Sequence, residues 1–464
     1  MTELHYQSLH EIARRIKSGE LTARRVTQTC LERIRRLEPE LHSFALVLED
    51  EALAAAERLD RGRHEGKPLQ SLHGVPIAVK DLLYTRGIPT ASGTRVMKDF
   101  VPDEDATVVT RLKQAGAVII GKTQLTEGAF GAHHPEIEAP RNPWSPGHWP
   151  GVSSSGSGVA VAAGLSYGAL GSDTGGSIRF PSASCGLVGI KPTYGRVSRF
   201  GAFPLAESLD HIGPMTRSVE DAAILLEVMA GQDARDPTTL ADAVPRYPAM
   251  LAERLSGMSV GIDWDYVSRG VEDAVIETVR GALGVLDALG ARVREVRMPV
   301  STERLVQGWS ITCGVECARA HRSYYPSRKR EYGPALAGLI ESGLSSTAAD
   351  YESLEAVRNE FRSELDALLE AVDVMIAPCM PVLPPPLEVI EAQVVDEGDR
   401  AEFITFTAPF DYSGHPTITL PAGLAADRLP KSFQLIGRRL GEPTLIRAGS
   451  AYERAVGFAE HPIA

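Results

Sequence analysis

The spacing of apolar residues predicts that helices and strands alternate along the first part of the chain. Apolar side chains recur at helical spacing in several stretches, whereas others alternate as in a strand. The predicted helices are residues 9–16, 22–34, 45–59 and 107–115, and the predicted strands are residues 74–79 and 117–120. This order indicates an α/β fold, in which helices pack against a sheet.

The second half continues this mixed pattern and ends in strands. Residues 309–369 are predicted to be helical, and the segment 378–386 is rich in proline. Further predicted elements are strands at 259–262, 292–296, 375–377, 418–420 and 433–436 and a helix at 271–289. Since no Pro/Gly/Ser linker or charge block divides the chain and no repeat occurs, one domain spanning 1–464 is predicted.

Composition narrows the function classes. The chain has 464 residues, 43% hydrophobic and 23% charged, which is typical of a globular protein. Lys and Arg total 48 against 60 Asp and Glu, so the net charge of −12 disfavours nucleic acid and anionic membranes as partners. The N-terminus lacks an apolar signal segment, and no apolar run could span a bilayer. Five cysteines favour a reducing compartment, and we expect a cytoplasmic protein.

Two loops rich in glycine and serine, residues 151–158 and 171–177, bracket a small apolar segment. Glycine allows tight turns and close approach to a ligand, and successive N–H groups in such turns can bind an oxyanion. Flexible linkers could have the same composition. However, the first loop runs into V-A-V-A-A-G-L, typical of a buried helix, and the second leads through I-R-F-P into C-G-L-V-G-I, typical of a buried strand. Loops between such core elements are expected to be held in place.

Three other motifs have weaker functional interpretations. Residues 116–123 satisfy the Walker A pattern, but their middle positions are the predicted strand 117–120, so nucleotide binding is not expected. His133, His134 and Glu136 lack a further ligand at suitable spacing, and a loop is the favoured interpretation. Cys313 and Cys317 share a helix face and are expected in the core, because a closed zinc site needs four donors. We therefore predict no metal and no cofactor.

The loop sequences closely resemble those of the amidase signature family of serine hydrolases. The resemblance is carried by G-V-S-S-S-G-S at 151–157, D-T-G-G-S-I-R-F-P at 173–181 and C-G-L-V-G-I-K-P-T at 185–193, and extends to 74–81, 208–214 and 433–437. It covers nearly the whole chain but is weak between 236 and 403. Val152 and Ser155 replace glycines of the family's first loop.

The resemblance implies a fold and a set of site residues. The expected fold is one large, mixed, twisted central sheet with helices on both faces, in which the variable segment 236–403 covers the substrate pocket. Ser177 is expected to be the nucleophile, Ser153 a bridging serine held by a cis peptide bond, and Lys80 the base. The remaining expected roles are the oxyanion hole (backbone N–H groups of Thr174, Gly175, Gly176 and Ser177) and supporting contacts (Ser154, Asp173 and Arg179).

Physical chemistry is compatible with this triad but leaves an alternative. Lys80 must be neutral to accept a proton, and burial lowers a lysine pKa. Asp210 and His211 are adjacent and could instead serve a Ser-His-Asp triad with one of the serines. No G-x-S-x-G elbow surrounds these serines.

The substrate is expected to be a small amide. The family includes the glutamine-hydrolysing subunit of tRNA-dependent amidotransferases, which works with partner chains, but this sequence departs from it at Phe180 and in the loop 131–136. An aromatic Phe180 beside the nucleophile favours aryl or alkyl amides hydrolysed through an acyl-enzyme on Ser177, and a purely structural position in the core is the alternative for this side chain. Carbamates or urea derivatives, the amidotransferase activity and a non-catalytic scaffold are the alternatives, and a homodimer is left open.

Overall fold

The computed structural model describes residues 3–393 and 397–463 as a mixed α/β structure. Short 3₁₀ turns cover Leu4–Tyr6, Glu127–Ala129, Tyr247–Met250 and Lys329–Glu331. The helices are α1 (Leu9–Ser18), α2 (Ala23–Leu41), α3 (Glu49–His64), α4 (Thr107–Gln114), α5 (Ser155–Ala162), α6 (Arg179–Cys185), α7 (Val219–Met229), α8 (Trp264–Ser268), α9 (Asp273–Ala288), α10 (Thr302–Ala320), α11 (Tyr325–Arg328), α12 (Pro334–Ser345), α13 (Ala348–Ala371), α14 (Leu387–Gln393), α15 (Glu397–Ile404), α16 (Ala408–Ser413) and α17 (Glu442–Val456).

The strands of the described residues form one sheet. They are β1 (Phe44–Val47), β2 (Pro76–Lys80), β3 (Val118–Thr123), β4 (Gly168–Asp173), β5 (Val188–Lys191), β6 (His211–Thr216), β7 (Ser259–Ile262), β8 (Arg292–Glu295), β9 (Val374–Ala377), β10 (Thr417–Leu424) and β11 (Pro430–Gly437). Their order across the sheet is β1-β3-β2-β4-β6-β5-β10-β11-β9-β7-β8. Strand β2 pairs in parallel with β3 and β4, whereas β4 is antiparallel to β6, so the sheet is mixed.

Both faces of the central strands are covered. Every residue of β2, β3, β4 and β6 is buried. Successive side chains of a strand point to opposite faces, so continuous burial requires packing on both sides. The expected large mixed sheet with helices on both faces is therefore confirmed. Among the described residues, no helix combines the length and apolar character needed to cross a membrane.

Most predicted elements occur close to their predicted positions, with two corrections. Residues 45–47, predicted as the start of a helix, belong to β1, and the helix α3 begins only at Glu49. The residues after the second loop form the helix α6 before the strand β5, rather than leading directly into a strand. Strand β1 pairs with β3 at the edge of the sheet. In both places the secondary structure depends on packing against residues that are distant in sequence. Local spacing does not reveal such partners.

The two halves of the expected site meet at one edge of the sheet. Lys80 is the last residue of β2, and Asp173 is the last residue of the neighbouring parallel strand β4. The carboxyl ends of parallel neighbours lie at the same edge, which is where open α/β sheets bind ligands. The loop that follows β4 therefore begins beside Lys80.

Candidate active site

Lys80 is fully buried among three serine hydroxyl groups. Its Nζ lies 2.7 Å from Ser153 Oγ, 2.9 Å from Ser154 Oγ and 2.8 Å from Ser172 Oγ. Burial lowers the pKa of Lys80 to about 7, because desolvation disfavours the charged amine, although the charges of Asp173 and Asp210 oppose this shift. Near neutral pH a large fraction of Lys80 is therefore an uncharged amine that can accept a proton.

The first loop places Ser153 and Ser154 directly before α5. The Val152–Ser153 peptide bond is cis, as the resemblance implied. Gly156 in the first turn of α5 has no room for a side chain, because an added Cβ would lie 2.3 Å from the carbonyl oxygen of Ser43. The backbone of α5 therefore packs closely against the segment before β1. The two departures from the family pattern, at Val152 and Ser155, leave the serines beside Lys80.

The second loop connects β4 to α6 and carries Ser177, which is partly exposed. The buried Asp173 carboxylate holds this loop by accepting hydrogen bonds from the backbone N–H groups of Gly176 (2.6 Å) and Ile178 (2.9 Å). Arg179 pairs with Asp173 (2.8 Å) and Asp411 (2.5 Å), and all three side chains are completely buried. Arg179 is thus held in a buried cluster and does not line the cavity at Ser177 described below.

The Asp173 and Arg179 charges stabilise each other, whereas burial and the neighbouring Asp173 raise the pKa of Asp411 well above its usual value. Although burial opposes ionisation of Asp173, the Arg179 guanidinium holds its pKa well below the usual range. A buried ion pair of this kind is costly to break, because removal of one partner leaves an uncompensated charge. The cluster therefore anchors the loop that carries Ser177 to the end of β4 and to α16.

Backbone N–H groups in the same loop are available to bind an oxyanion. Among the described residues, the N–H groups of Thr174, Gly175 and Ser177 have no hydrogen-bond acceptor. The Gly176 N–H differs, because it already donates to Asp173 Oδ1. Gly176 adopts a φ of 133°, and an added Cβ would collide with the Phe180 ring at 2.4 Å, so this position requires glycine. Of the four N–H groups expected to form the oxyanion hole, three are therefore free to donate to a ligand.

Among the described residues, no hydrogen bond joins the Asp210 carboxylate to the His211 ring. The Asp210 carboxylate accepts from the Thr174 hydroxyl at 2.6 Å and from the backbone N–H of Leu205 at 3.0 Å. The His211 Nδ1–H donates to the Leu209 carbonyl at 2.6 Å. Burial lowers the pKa of His211 well below its usual value, so the ring is neutral. The geometry brings Lys80, and not an Asp–His pair, to the serines.

Ser177 and Ser153 line a cavity of about 110 Å³, here called the apolar cavity. None of the described residues that line it is charged. Its walls include two aromatic groups, with centroid distances of 5.2 Å for Trp149–Phe403, 5.5 Å for Phe180–Phe403 and 6.1 Å for the stacked Phe130–Trp309 pair. The apolar cavity is therefore suited to a flat or aliphatic group attached to a carbonyl carbon.

Three residues of this site were not found from the sequence. Ser172 contacts Lys80 and lies within the segment 171–177, directly before the family motif at 173–181, so its neighbourhood could have indicated it. Trp309 donates from Nε1 to the Thr174 carbonyl (3.0 Å), and Phe403 lies against Phe180. Both aromatic residues come from the weakly matching segment 236–403, where no local pattern indicates a site.

The remaining motifs lie in structural positions. Lys122 of the Walker-like stretch is buried in β3 and pairs with Asp81 at 3.1 Å. His134 Nδ1 accepts from the Glu136 backbone N–H, and His133 Nε2 contacts Ser155 at 3.2 Å. Across the part of the chain that the structure describes, no group of three or more His, Cys, Asp or Glu side chains could hold a metal ion. The cysteine residues are buried and free.

Comparison with known proteins finds one protein family whose sequence model matches nearly the whole chain. The Amidase family model matches residues 25–446. A Mycobacterium tuberculosis protein named as an amidase, AmiD, is 46% identical over 455 residues, which cover 97% of this chain and 94% of that protein. A glutamyl-tRNA(Gln) amidotransferase subunit of Chloroflexus aggregans is 36% identical, with coverage of 99% and 98%. The structure of a bacterial aryl acylamidase of the amidase signature family superimposes with a TM-score of 0.89 at 26% identity, with coverage of 98% and 97%.

Proposed function

Because this chain belongs to the amidase signature family, and is thus an amidase-type hydrolase, we propose that it cleaves small aryl or alkyl amides through an acyl-enzyme on Ser177. The observation that carries this proposal is the position of the apolar cavity. It ends on Ser177 and Ser153, and Lys80 lies directly behind Ser153. This arrangement supports an order of substrate, Ser177, Ser153 and Lys80 along the path of the proton.

The hydrogen bonds around Lys80 support a specific direction of proton transfer. The Ser154 hydroxyl donates to the Ser172 carbonyl (3.1 Å), so its oxygen accepts a hydrogen bond from Lys80. A neutral amine has two hydrogens and one lone pair. If its hydrogens bind Ser154 and Ser172, the lone pair faces Ser153 and can accept its proton. Ser153 can then take the proton of Ser177 as that oxygen attacks the carbonyl carbon.

The reaction has two steps with the same groups. In the first, a bond forms between Ser177 Oγ and the carbonyl carbon, the C–N bond breaks, and the serine proton passes through Ser153 to the departing amine. In the second, water attacks the ester, its proton returns to Ser177, and the acid is released. The free N–H groups of Thr174, Gly175 and Ser177 stabilise the negative oxygen in both steps.

The uncharged lining of the apolar cavity favours amides without charge on the acyl side. Glutamine carries an ammonium and a carboxylate, and burial of either without a partner is unfavourable. No charged side chain among the described lining residues could pair with them. We therefore favour a stand-alone amidase over a glutamine-hydrolysing subunit. Carbamates present the same carbonyl chemistry, and the experiment below distinguishes them.

The variable segment 236–403, within one domain spanning 1–464, is proposed to set substrate preference. Trp309 on α10, Ile390 on α14 and Phe403 on α15 all belong to it and line the apolar cavity, although most catalytic groups come from residues 80–177. The catalytic groups can therefore stay the same while the part of the cavity wall that this segment supplies varies.

The proposal is tested with purified protein and a matched substrate panel. The panel consists of an anilide, an aliphatic amide, an ester and a carbamate that share one benzoyl-sized group, together with glutamine, without ATP, tRNA or partner chains. We expect hydrolysis of the anilide and aliphatic amide and trapping of the acyl group on Ser177 by mass spectrometry. Turnover of the carbamate alone, or of glutamine alone and only with a partner, would contradict the proposed substrate class.

A further inference from the structure

The Trp309 side chain of α10 contacts the backbone of the loop that carries Ser177. Its Nε1–H donates to the Thr174 carbonyl at 3.0 Å, and the indole is buried. The ring also lies against Gly175, because a Cβ added there would be 2.7 Å from an indole carbon. Since Trp309 belongs to the variable segment 236–403 and lines the apolar cavity, this contact joins the cavity wall to the loop.

The carbonyl that Trp309 binds belongs to the same peptide unit as one of the free N–H groups. The Thr174 carbonyl and the Gly175 N–H are the two ends of one planar trans peptide unit, in which they point in opposite directions. A donor that fixes the direction of the carbonyl therefore also fixes the direction of the N–H. Hydrogen bonds in a chain polarise one another, so a donor on the carbonyl also makes the N–H a stronger donor.

Another side-chain donor to this loop acts on a different peptide unit. The Thr407 hydroxyl donates to the Gly175 carbonyl at 2.6 Å, and the N–H of that unit belongs to Gly176. The Gly176 N–H is not free, because it donates to Asp173 Oδ1. Trp309 and Thr407 therefore hold adjacent peptide units, but of these two only the unit held by Trp309 has an N–H group that is free to bind a ligand.

We propose that Trp309 is a positioning residue for the oxyanion hole, because its indole N–H keeps the Gly175 N–H directed at the oxygen of the substrate carbonyl. This inference rests on the proposed amidase function and extends it to a residue outside the two catalytic loops. It joins the wall that contacts the acyl group to a donor that stabilises the oxyanion. The fit of the acyl group against Trp309 therefore affects kcat and not only substrate binding.

The test removes the indole N–H without changing the shape of the ring. In Trp309→3-benzothienylalanine a sulfur atom takes the place of the N–H group. We expect kcat for the anilide to fall about tenfold, less than the loss of about 10²–10³-fold on complete removal of an oxyanion donor, because the Gly175 N–H is still present. KM should change less than about threefold, because the oxyanion forms in the transition state and not in the bound substrate.

A phenyl trifluoromethyl ketone distinguishes positioning from packing. Ser177 Oγ adds to its carbonyl carbon, the C=O electron pair moves to the oxygen, and the serine proton passes through Ser153 to Lys80. The affinity for this inhibitor should fall about tenfold in the Trp309 variant, as kcat does. Benzyl alcohol has a similar size but forms no oxyanion, and its affinity should be unchanged. Equal losses of affinity for both ligands would overturn the inference, because the effect would then lie in the shape of the wall.

Two control variants locate the effect. Trp264→3-benzothienylalanine makes the same replacement on α8, outside the apolar cavity, and is expected to leave kcat and inhibitor affinity unchanged. Thr407→Val removes the donor to the Gly175 carbonyl. It is expected to lower the melting temperature, while the affinity for the ketone relative to benzyl alcohol changes less than about threefold. A tenfold fall of this ratio in Thr407→Val would overturn the inference, since general support of the loop would then explain it.

A measurement on the wild-type protein covers the case in which the Trp309 variant does not fold. When the ketone binds, the Gly175 N–H donates to the negative oxygen, which strengthens the Trp309 hydrogen bond at the other end of the peptide unit. The indole proton of Trp309 should therefore move to lower field in the NMR spectrum of ¹⁵N-tryptophan-labelled protein, and benzyl alcohol should not cause this shift. The chain has four tryptophan residues, and the signals of the others are identified by single replacement with Phe.

The outcomes separate this inference from the proposed function. Unchanged kcat and inhibitor affinity in a folded Trp309 variant would overturn the inference, as would a Trp309 indole signal that does not move at saturating inhibitor. In either case the anilide would still be hydrolysed, and the amidase function would stand. Absence of both hydrolysis and an acyl group on Ser177 in the wild-type protein would instead contradict the proposed function itself.

Discussion

The catalytic loops and the aromatic wall of the apolar cavity are assembled in opposite ways. Ser153, Ser172 and Ser177 lie within 25 residues of one another along the chain, and β2 places Lys80 beside them. The wall instead combines Trp149 and Phe180 with Phe403, more than 220 residues further on. Local sequence can thus specify the cluster of hydroxyl groups around Lys80, whereas the wall of the apolar cavity, which we propose sets substrate preference, depends on contacts between distant segments.

The largest effect is expected when the proposed nucleophile, the Ser177 hydroxyl group, is removed. Ser177→Ala is expected to lower kcat at least about 10⁴-fold, because the catalytic groups act as a unit. Ser155→Ala is the matched control, since Ser155 contacts His133 and not Lys80, and it should retain activity within about tenfold. The measurement is the rate of anilide hydrolysis by each of the two variants and by the wild-type protein. Substantial turnover by Ser177→Ala would place the nucleophile elsewhere.

Loss of the base should be nearly as damaging. Lys80→Met keeps a side chain of similar length but removes the lone pair, and kcat is expected to fall about 10³-fold or more. His211→Ala removes a single acceptor and should cost no more than about tenfold. Circular dichroism of both variants controls for folding. An inactive but folded His211→Ala protein beside an active Lys80→Met protein would reverse the choice between lysine and histidine as base.

The pH dependence tests the electrostatics of the catalytic region. In the proposed mechanism the competent form of Lys80 is the neutral one, and burial lowers its pKa to about 7. We therefore expect kcat/KM to increase with pH through about 7 and to remain high into the alkaline range, with about a tenfold loss for each pH unit well below 7. The measurement is kcat/KM of the wild-type protein between pH 5 and 10. A rate that falls as pH rises through 7 would show that the charged amine is the active form.

The smallest expected effect concerns the distant wall. Phe403→Ala removes two edge-to-face ring contacts and part of the apolar lining, so kcat/KM for a benzoyl amide should fall roughly tenfold or more. The matching acetyl amide, which does not reach this wall, should be affected far less. The ratio of kcat/KM for the two substrates measures the change. Equal losses on both substrates would mean that the wall supports the catalytic loops rather than the acyl group.

The sequence alone was sufficient for the fold class and for the main catalytic candidates. The loops that carry Ser153 and Ser177 are continuous motifs, and the strand that ends at Lys80 has an apolar pattern that is readable over a few residues. Strands such as β7 also agree with local spacing, because a short run of apolar residues suffices to define them. Strand β4, with the sequence G-A-L-G-S-D, was not predicted, since its strand conformation comes from pairing with β2 and β6.

Only the tertiary structure decided which groups act together. It showed that Asp210 binds Thr174 rather than His211, that the Gly176 N–H is taken by Asp173, and that Arg179 is shared with Asp411, a residue 232 positions away. It also brought Trp309 and Phe403 to the cavity that Ser177 lines. The physical reason is that hydrogen-bond partners and cavity walls are set by distances in space. A local pattern of residues specifies an element and its chemistry, but not the distant side chain against which it will pack.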